Sequence, residues 1–77
     1  MRLTSTEVSL MRIFTARAGE VVARDELIAE LGGEEATSSE RAVDVQITRL
    51  RRKIETDPKQ PRYLQTIRGE GYRFAPD

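Results

Sequence analysis

Hydrophobic positions fall on one side of a helix in three stretches of this chain, and a fourth stretch reads as paired strands. In the first stretch Val8, Met11, Ile13 and Phe14 make the stripe. Thr4 and Glu7 precede it at capping-box spacing, the hydroxyl covering an early amide while the carboxylate reaches back. Leu3 and Val8 stand where an apolar staple would hold the entry, and Gly19 offers a left-handed cap. The pattern predicts a first helix over about 5–18. The β-branched pair Val21 and Val22 predicts a small strand.

A second helix is predicted over about 24–31. Asp25 and Glu26 lie in its first turn, where the helix dipole favours acids, and Leu27, Ile28 and Leu31 form its apolar side. Ala23 is a poor cap for it, and Gly32 with Gly33 ends it. A third helix is predicted over about 38–55, capped by Thr37 with Glu40, by Ser38 or by Ser39, and stopped by Asp57-Pro58. Residues 63–75, YLQTIRGEGYRFA, read as a β-hairpin whose turn carries two glycines. Three helices followed by a hairpin predict an α+β fold, a winged helix-turn-helix with a three-helix core and the hairpin as wing.

Composition narrows the chemistry. The 77 residues make one small domain with no Cys to staple it and no His to serve as metal ligand or general base. No metal, no cofactor and no catalytic residue is expected. No apolar run approaches the roughly 18 residues of a membrane span, and with the absence of Cys this points to a cytoplasmic setting. Lys+Arg and Asp+Glu are equal at 13 each, yet unevenly spread. Residues 1–40 hold four basic and eight acidic side chains, residues 41–77 nine and five. That split suggests an anionic partner for the second half.

The third helix sharpens the suggestion. At about 100° per residue, Val43, Ile47, Leu50 and Ile54 form one narrow core-facing stripe. The opposite side carries Arg41, Val45, Thr48, Arg49 and Arg52 and no acid, with Asp44 and Glu55 at its edge. Such a run is ordinarily a solvated face knit by pairs such as Arg51 with Glu55. An exposed valine among arginines fits DNA better. Arginine forks onto guanine, Val45 presses on a thymine methyl, and Thr48 reaches a phosphate or a base edge. Asp44 is expected to orient an arginine or a nearby backbone group.

On the hairpin, Arg68 and Arg73 flank the turn, and Thr66 and Tyr72 offer hydroxyls to phosphate oxygens. A wing-tip arginine suits the narrow minor groove. Two decoys fall away. Gly69-Glu70-Gly71 lacks the third glycine and the strand-to-helix setting of a dinucleotide loop, and Glu34-Glu35 reads as a solvated turn. The competing reading is a protein-interaction module that docks a partner through the first helix or the acidic 32–38 loop.

Four segments, LTSTE at 3–7, GEVVARDEL at 19–27, RAVDVQITRLRRKIE at 41–55 and YLQTIRGEGYRF at 63–74, together resemble the C-terminal effector domain of OmpR/PhoB-type response regulators. The resemblance implies a cytoplasmic transcription factor of a two-component system, with its recognition helix in the major groove and its wing in the minor groove. It places Arg49 at the base-reading position and Arg68 at the minor-groove wing position, to which Val45 is added from its apolar side chain on the open face. It places Arg41, Gln46, Thr48, Thr66 and Tyr72 at the phosphate backbone, where Arg52 and Arg73 are added from their charge. It also implies head-to-tail pairs on direct repeats and contact with RNA polymerase through the 32–38 loop. The family's N-terminal sheet is largely missing here and its receiver domain is absent, so the chain reads as a fragment whose first helix has lost some cover.

Overall fold

A computed structural model of the chain describes residues 2–32 and 37–76. Its elements are α1 (Ser5–Ala16), β1 (Val21–Val22), α2 (Arg24–Glu30), α3 (Glu40–Ile54), β2 (Leu64–Ile67) and β3 (Gly71–Phe74). The capping box forms. The Thr4 amide donates to Glu7 Oε1 at 2.8 Å, and the Glu7 amide donates to Thr4 Oγ1 at 3.2 Å. α1 stops short of residue 18 because Arg17 leaves helical geometry (φ −120°, ψ 36°). Beyond it, Gly19 adopts φ +83° and gives its amide to the Phe74 carbonyl, so the turn is tied to β3.

The valine pair does form a strand, and its partner is β3. Val21 faces Arg73 and Val22 faces Tyr72, both antiparallel, giving a three-stranded sheet of order β1-β3-β2. Ala23 has no side chain with which to cap α2. Glu26 covers the end instead, its Oε1 accepting from the Ala23 amide at 3.3 Å. Of the three candidate caps for α3, Ser39 takes the position, accepting from the Ala42 amide at 3.1 Å.

Val43, Ile47 and Leu50 point inward with no exposed surface, joining Leu10, Phe14, Val22, Leu27 and Leu64 in the core. Leu31 and Tyr72 complete it, and Leu3, Met11, Ile13, Ile28, Ile54 and Phe74 pack around its edge. Val8 remains 37% exposed on α1. Arg2, Leu3 and Thr4 form no strand. Two helices at the base of a sheet-borne hairpin, with a third helix behind them, make a winged helix-turn-helix.

One buried ion pair locks α1 to α3. Glu7 is 1% exposed, and Lys53 Nζ donates to its Oε1 at 2.6 Å and to the Arg2 carbonyl at 2.9 Å. Burial pushes the Glu7 carboxyl up, but Lys53 and the Thr4 amide and hydroxyl together hold it below its ordinary value. A carboxyl depressed on folding adds stability above its unfolded pKa and loses it as the pH falls through the folded pKa. Lys53→Met removes the ammonium and leaves burial unopposed by charge. It is expected to cost about 2 kcal/mol at neutral pH and to move the acid loss of stability to higher pH, both read from denaturant melts between pH 7 and pH 3.

Candidate nucleic-acid interface

The side of α3 away from the core is open. Arg41, Val45, Thr48, Arg49 and Arg52 are all exposed, Val45 at 44%. Arg41, Arg49 and Arg52 form no ion pair or hydrogen bond with any described residue. A cation without an internal partner keeps its full charge for an external one. Thr48 is less free, because its hydroxyl donates to the Asp44 carbonyl at 3.0 Å, and a phosphate would have to compete for that proton.

The hairpin lies along one flank of this helix, fastened at three levels. At the C-terminal end, Glu55 is buried and its two oxygens accept the amides of Arg62, Tyr63 and Leu64. One turn back, Arg51 donates from Nε to the Leu64 carbonyl at 2.9 Å and from Nη2 to Thr66 Oγ1 at 2.8 Å. Its guanidinium also stacks over the Tyr72 ring, 5.5 Å from the centroid. Two turns further back, the Tyr72 hydroxyl donates to Asp44 Oδ1 at 2.5 Å. Arg24 Nη1, from α2, reaches Asp44 Oδ2 at 3.1 Å and Glu40 at 3.6 Å, so one cation relieves the Glu40–Asp44 repulsion.

This changes several assignments. The expected Arg51–Glu55 pair is not made, since each residue spends its polar atoms on the hairpin. Thr66 accepts from Arg51, which leaves its own proton free to point outward. Tyr72 is different: it is 7% exposed and its single proton is committed to Asp44, so it has no donor left for a phosphate. Burial, and then Asp44, push that phenol up to about 12, so the proton stays on. Arg73 faces Gln65 across the hairpin and donates to its Oε1 at 2.7 Å. Side chains alternate along a strand, so Arg73 lies on the sheet face opposite Thr66 and Tyr72. Gln46 is buried, at 8% exposure, on the core side of the helix. Gln46, Tyr72 and Arg73 are thus less open than Arg41, Thr48, Arg49, Arg52 and Thr66.

Arg68 begins the 68–70 turn, exposed and without a partner among the described residues. Gly69 adopts φ +75° there, in a turn that joins β2 to β3, and a dinucleotide loop would join a strand to a helix. Most of the acidic 32–38 loop, Glu34 and Glu35 included, lies outside the described residues. Among those described, no group of His, Cys, Asp and Glu could hold a metal ion, and no helix is long and apolar enough to cross a membrane. The residues that sequence reasoning undervalued are Arg24, Arg51 and Glu55. Charge and spacing singled out Arg51 and Glu55 only as a local ion pair and gave Arg24 no role, because their partners lie on other elements.

Comparisons with known proteins agree with this fold. Residues 1–74 match a family model described as transcriptional regulatory protein, C terminal. The chain is 66% identical, over an 82-residue alignment, to Protein PetR of Rhodobacter capsulatus, covering 100% of this chain and 35% of that protein. It thus spans about a third of the length of the curated relatives it matches. It superposes with TM-score 0.85 and 33% identity on the DNA-binding domain of Klebsiella pneumoniae RstA, solved in complex with the RstA box, covering 99% of this chain and 75% of that one. Response regulator DrrB, a Thermotoga maritima OmpR/PhoB homologue, superposes with TM-score 0.83 and 39% identity, covering 96% of this chain and 33% of that one.

Proposed function

The chain belongs to the family of C-terminal domains of transcriptional regulatory proteins, and from that premise we propose that it is the duplex-DNA-reading output domain of a two-component regulator. The observation that carries this reading is the acid-free outer side of α3, with Arg41, Arg49 and Arg52 unpaired among the described residues and the Arg68 wing tip projecting from the hairpin beside it. α3 enters the major groove, where Arg49 forks onto guanine O6 and N7 and Val45 meets a thymine methyl. Arg68 enters the adjacent minor groove, whose negative potential attracts a guanidinium. Arg41, Arg52 and Thr66 take phosphates, and Thr48 joins them by turning its hydroxyl. That the related RstA DNA-binding domain was solved in complex with its box supports DNA binding by this one.

In the whole regulator this domain follows a receiver domain, works in the cytoplasm without catalysis, binds direct repeats as head-to-tail pairs and offers the 32–38 loop to RNA polymerase. Selecting duplexes from a random library and measuring their affinity against salt tests the central claim. Affinity is expected to fall steeply and linearly in log–log form as phosphate counterions are released. Arg49→Ala is expected to cost about 1–3 kcal/mol and relax preference at one base pair, while Arg41→Ala weakens all sequences alike. Binding indifferent to salt removes the phosphate-neutralising mechanism.

A further inference from the structure

The wing is held to α3 by more than its root needs. Glu55 already secures the amides of residues 62–64, Arg51 secures the Leu64 carbonyl, and β1 pairs with β3 at Tyr72 and Arg73. Yet a further fastener, the Tyr72 hydroxyl on Asp44, lies eleven positions back along the helix from Glu55. At about 1.5 Å rise per residue this spreads the attachment over roughly 16 Å of α3. It sits at the turn end of β3, level with the Arg51 bond to Thr66 on β2, since Thr66 pairs with Tyr72. The Asp44 carboxylate is also gripped from the other side by Arg24 of α2. One acid therefore joins both helices of the helix-turn-helix to the wing. It does so at 40% side-chain exposure, bordering a face otherwise free of acids, where a bare negative charge would repel phosphates.

We propose that Asp44 and Tyr72 are positioning residues that set the angle between wing and recognition helix, so that Arg68 and Arg49 address the same duplex at once. The inference rests on the DNA-binding reading above and deepens it. Neither residue touches DNA in this role. A wing already at the right angle loses little freedom on binding, so its contact adds fully to affinity. Without the Asp44 bond, the turn end of the wing is held to α3 through Arg51 alone among the described residues, and the Arg68 contact is then offset by the ordering it requires.

A double-mutant cycle tests this on a selected duplex at fixed salt. Tyr72→Phe keeps the ring over Arg51 and deletes only the hydroxyl. In the otherwise unaltered protein, Arg68→Ala is expected to weaken binding about tenfold. In the Tyr72→Phe background the same change is expected to cost less than about threefold, while Arg49→Ala costs the same factor in both. Asp44→Asn, which weakens the Arg24 pair as well, is expected to reproduce this pattern. A loosened fold would instead reduce the Arg49 and Arg68 effects together, and that result overturns the proposal. So does an Arg68→Ala loss that is equal in both backgrounds, or absent from both. Failure of the unaltered chain to bind any duplex strikes the functional reading itself, a different outcome from an additive cycle.

Discussion

Gly71→Ala is expected to remove about half of this domain's stability, lowering its melting temperature by about 15–30 °C in a circular-dichroism melt. Gly71 is buried at the start of β3 with φ +148°, a conformation that side chains other than glycine's rarely adopt. A Cβ there would lie 2.2 Å from the Val22 carbonyl oxygen and 2.8 Å from Ala23 Cα. Both are backbone atoms, so no rotamer change relieves the clash. Relief requires moving β1, which is only two residues long and supplies the buried Val22. Backbone strain of about 1–3 kcal/mol and overpacking of similar size together come to about half of the roughly 4–12 kcal/mol that holds a domain this small. Gly69→Ala is the control. It shares a positive φ, +75°, but its Cβ would meet nothing within 4 Å, so only about 1 kcal/mol is at stake. Equal losses for the two variants contradict the steric account.

What could be read from the sequence was local. The Thr4–Glu7 box, the Val43–Ile47–Leu50 stripe and the open Arg41–Val45–Arg49–Arg52 side all follow from spacing along one helix, and all are present. What escaped depends on where other elements arrive. Arg51 and Glu55 satisfy an i,i+4 rule on paper. The hairpin brings amides, a carbonyl and a hydroxyl within reach, and directed hydrogen bonds to them displace a solvent-screened pair. Tyr72 looked like a phosphate donor because nothing in its own segment reveals that Asp44, 28 positions away, takes its proton. The face that Arg73 occupies could have been read from its own strand. Strand alternation alone puts it on the face opposite Tyr72, so choosing Thr66 and Tyr72 for DNA already argued against it. Asp44 went the other way: as an acid at the edge of a basic face it was expected to orient an arginine, and Arg24 is that arginine.

Joint reversal, Arg49→Glu with Arg68→Glu, is expected to abolish specific duplex binding while leaving the fold intact. Both side chains are exposed and have no partner among the described residues, so the change should move stability by no more than about 0.5 kcal/mol. Each lost contact is worth about 1–3 kcal/mol, and each new carboxylate faces phosphates in place of a cation. Together the loss is about 4 kcal/mol or more, near a thousandfold in affinity. The chain has no surplus charge to soften it, because each exchange subtracts two charges from a net of zero and leaves −4. Repulsion of that kind is strongest at low salt, so residual binding should show a much flatter salt dependence than the unaltered protein. A partner that docked through α1 or the acidic loop would be indifferent to the exchange, since α3's outer side and the wing tip would only be solvating it. If the reversed protein still binds selected duplexes at near-native affinity, the contact surface lies elsewhere on the molecule, and α3 and the wing lose their assigned roles together.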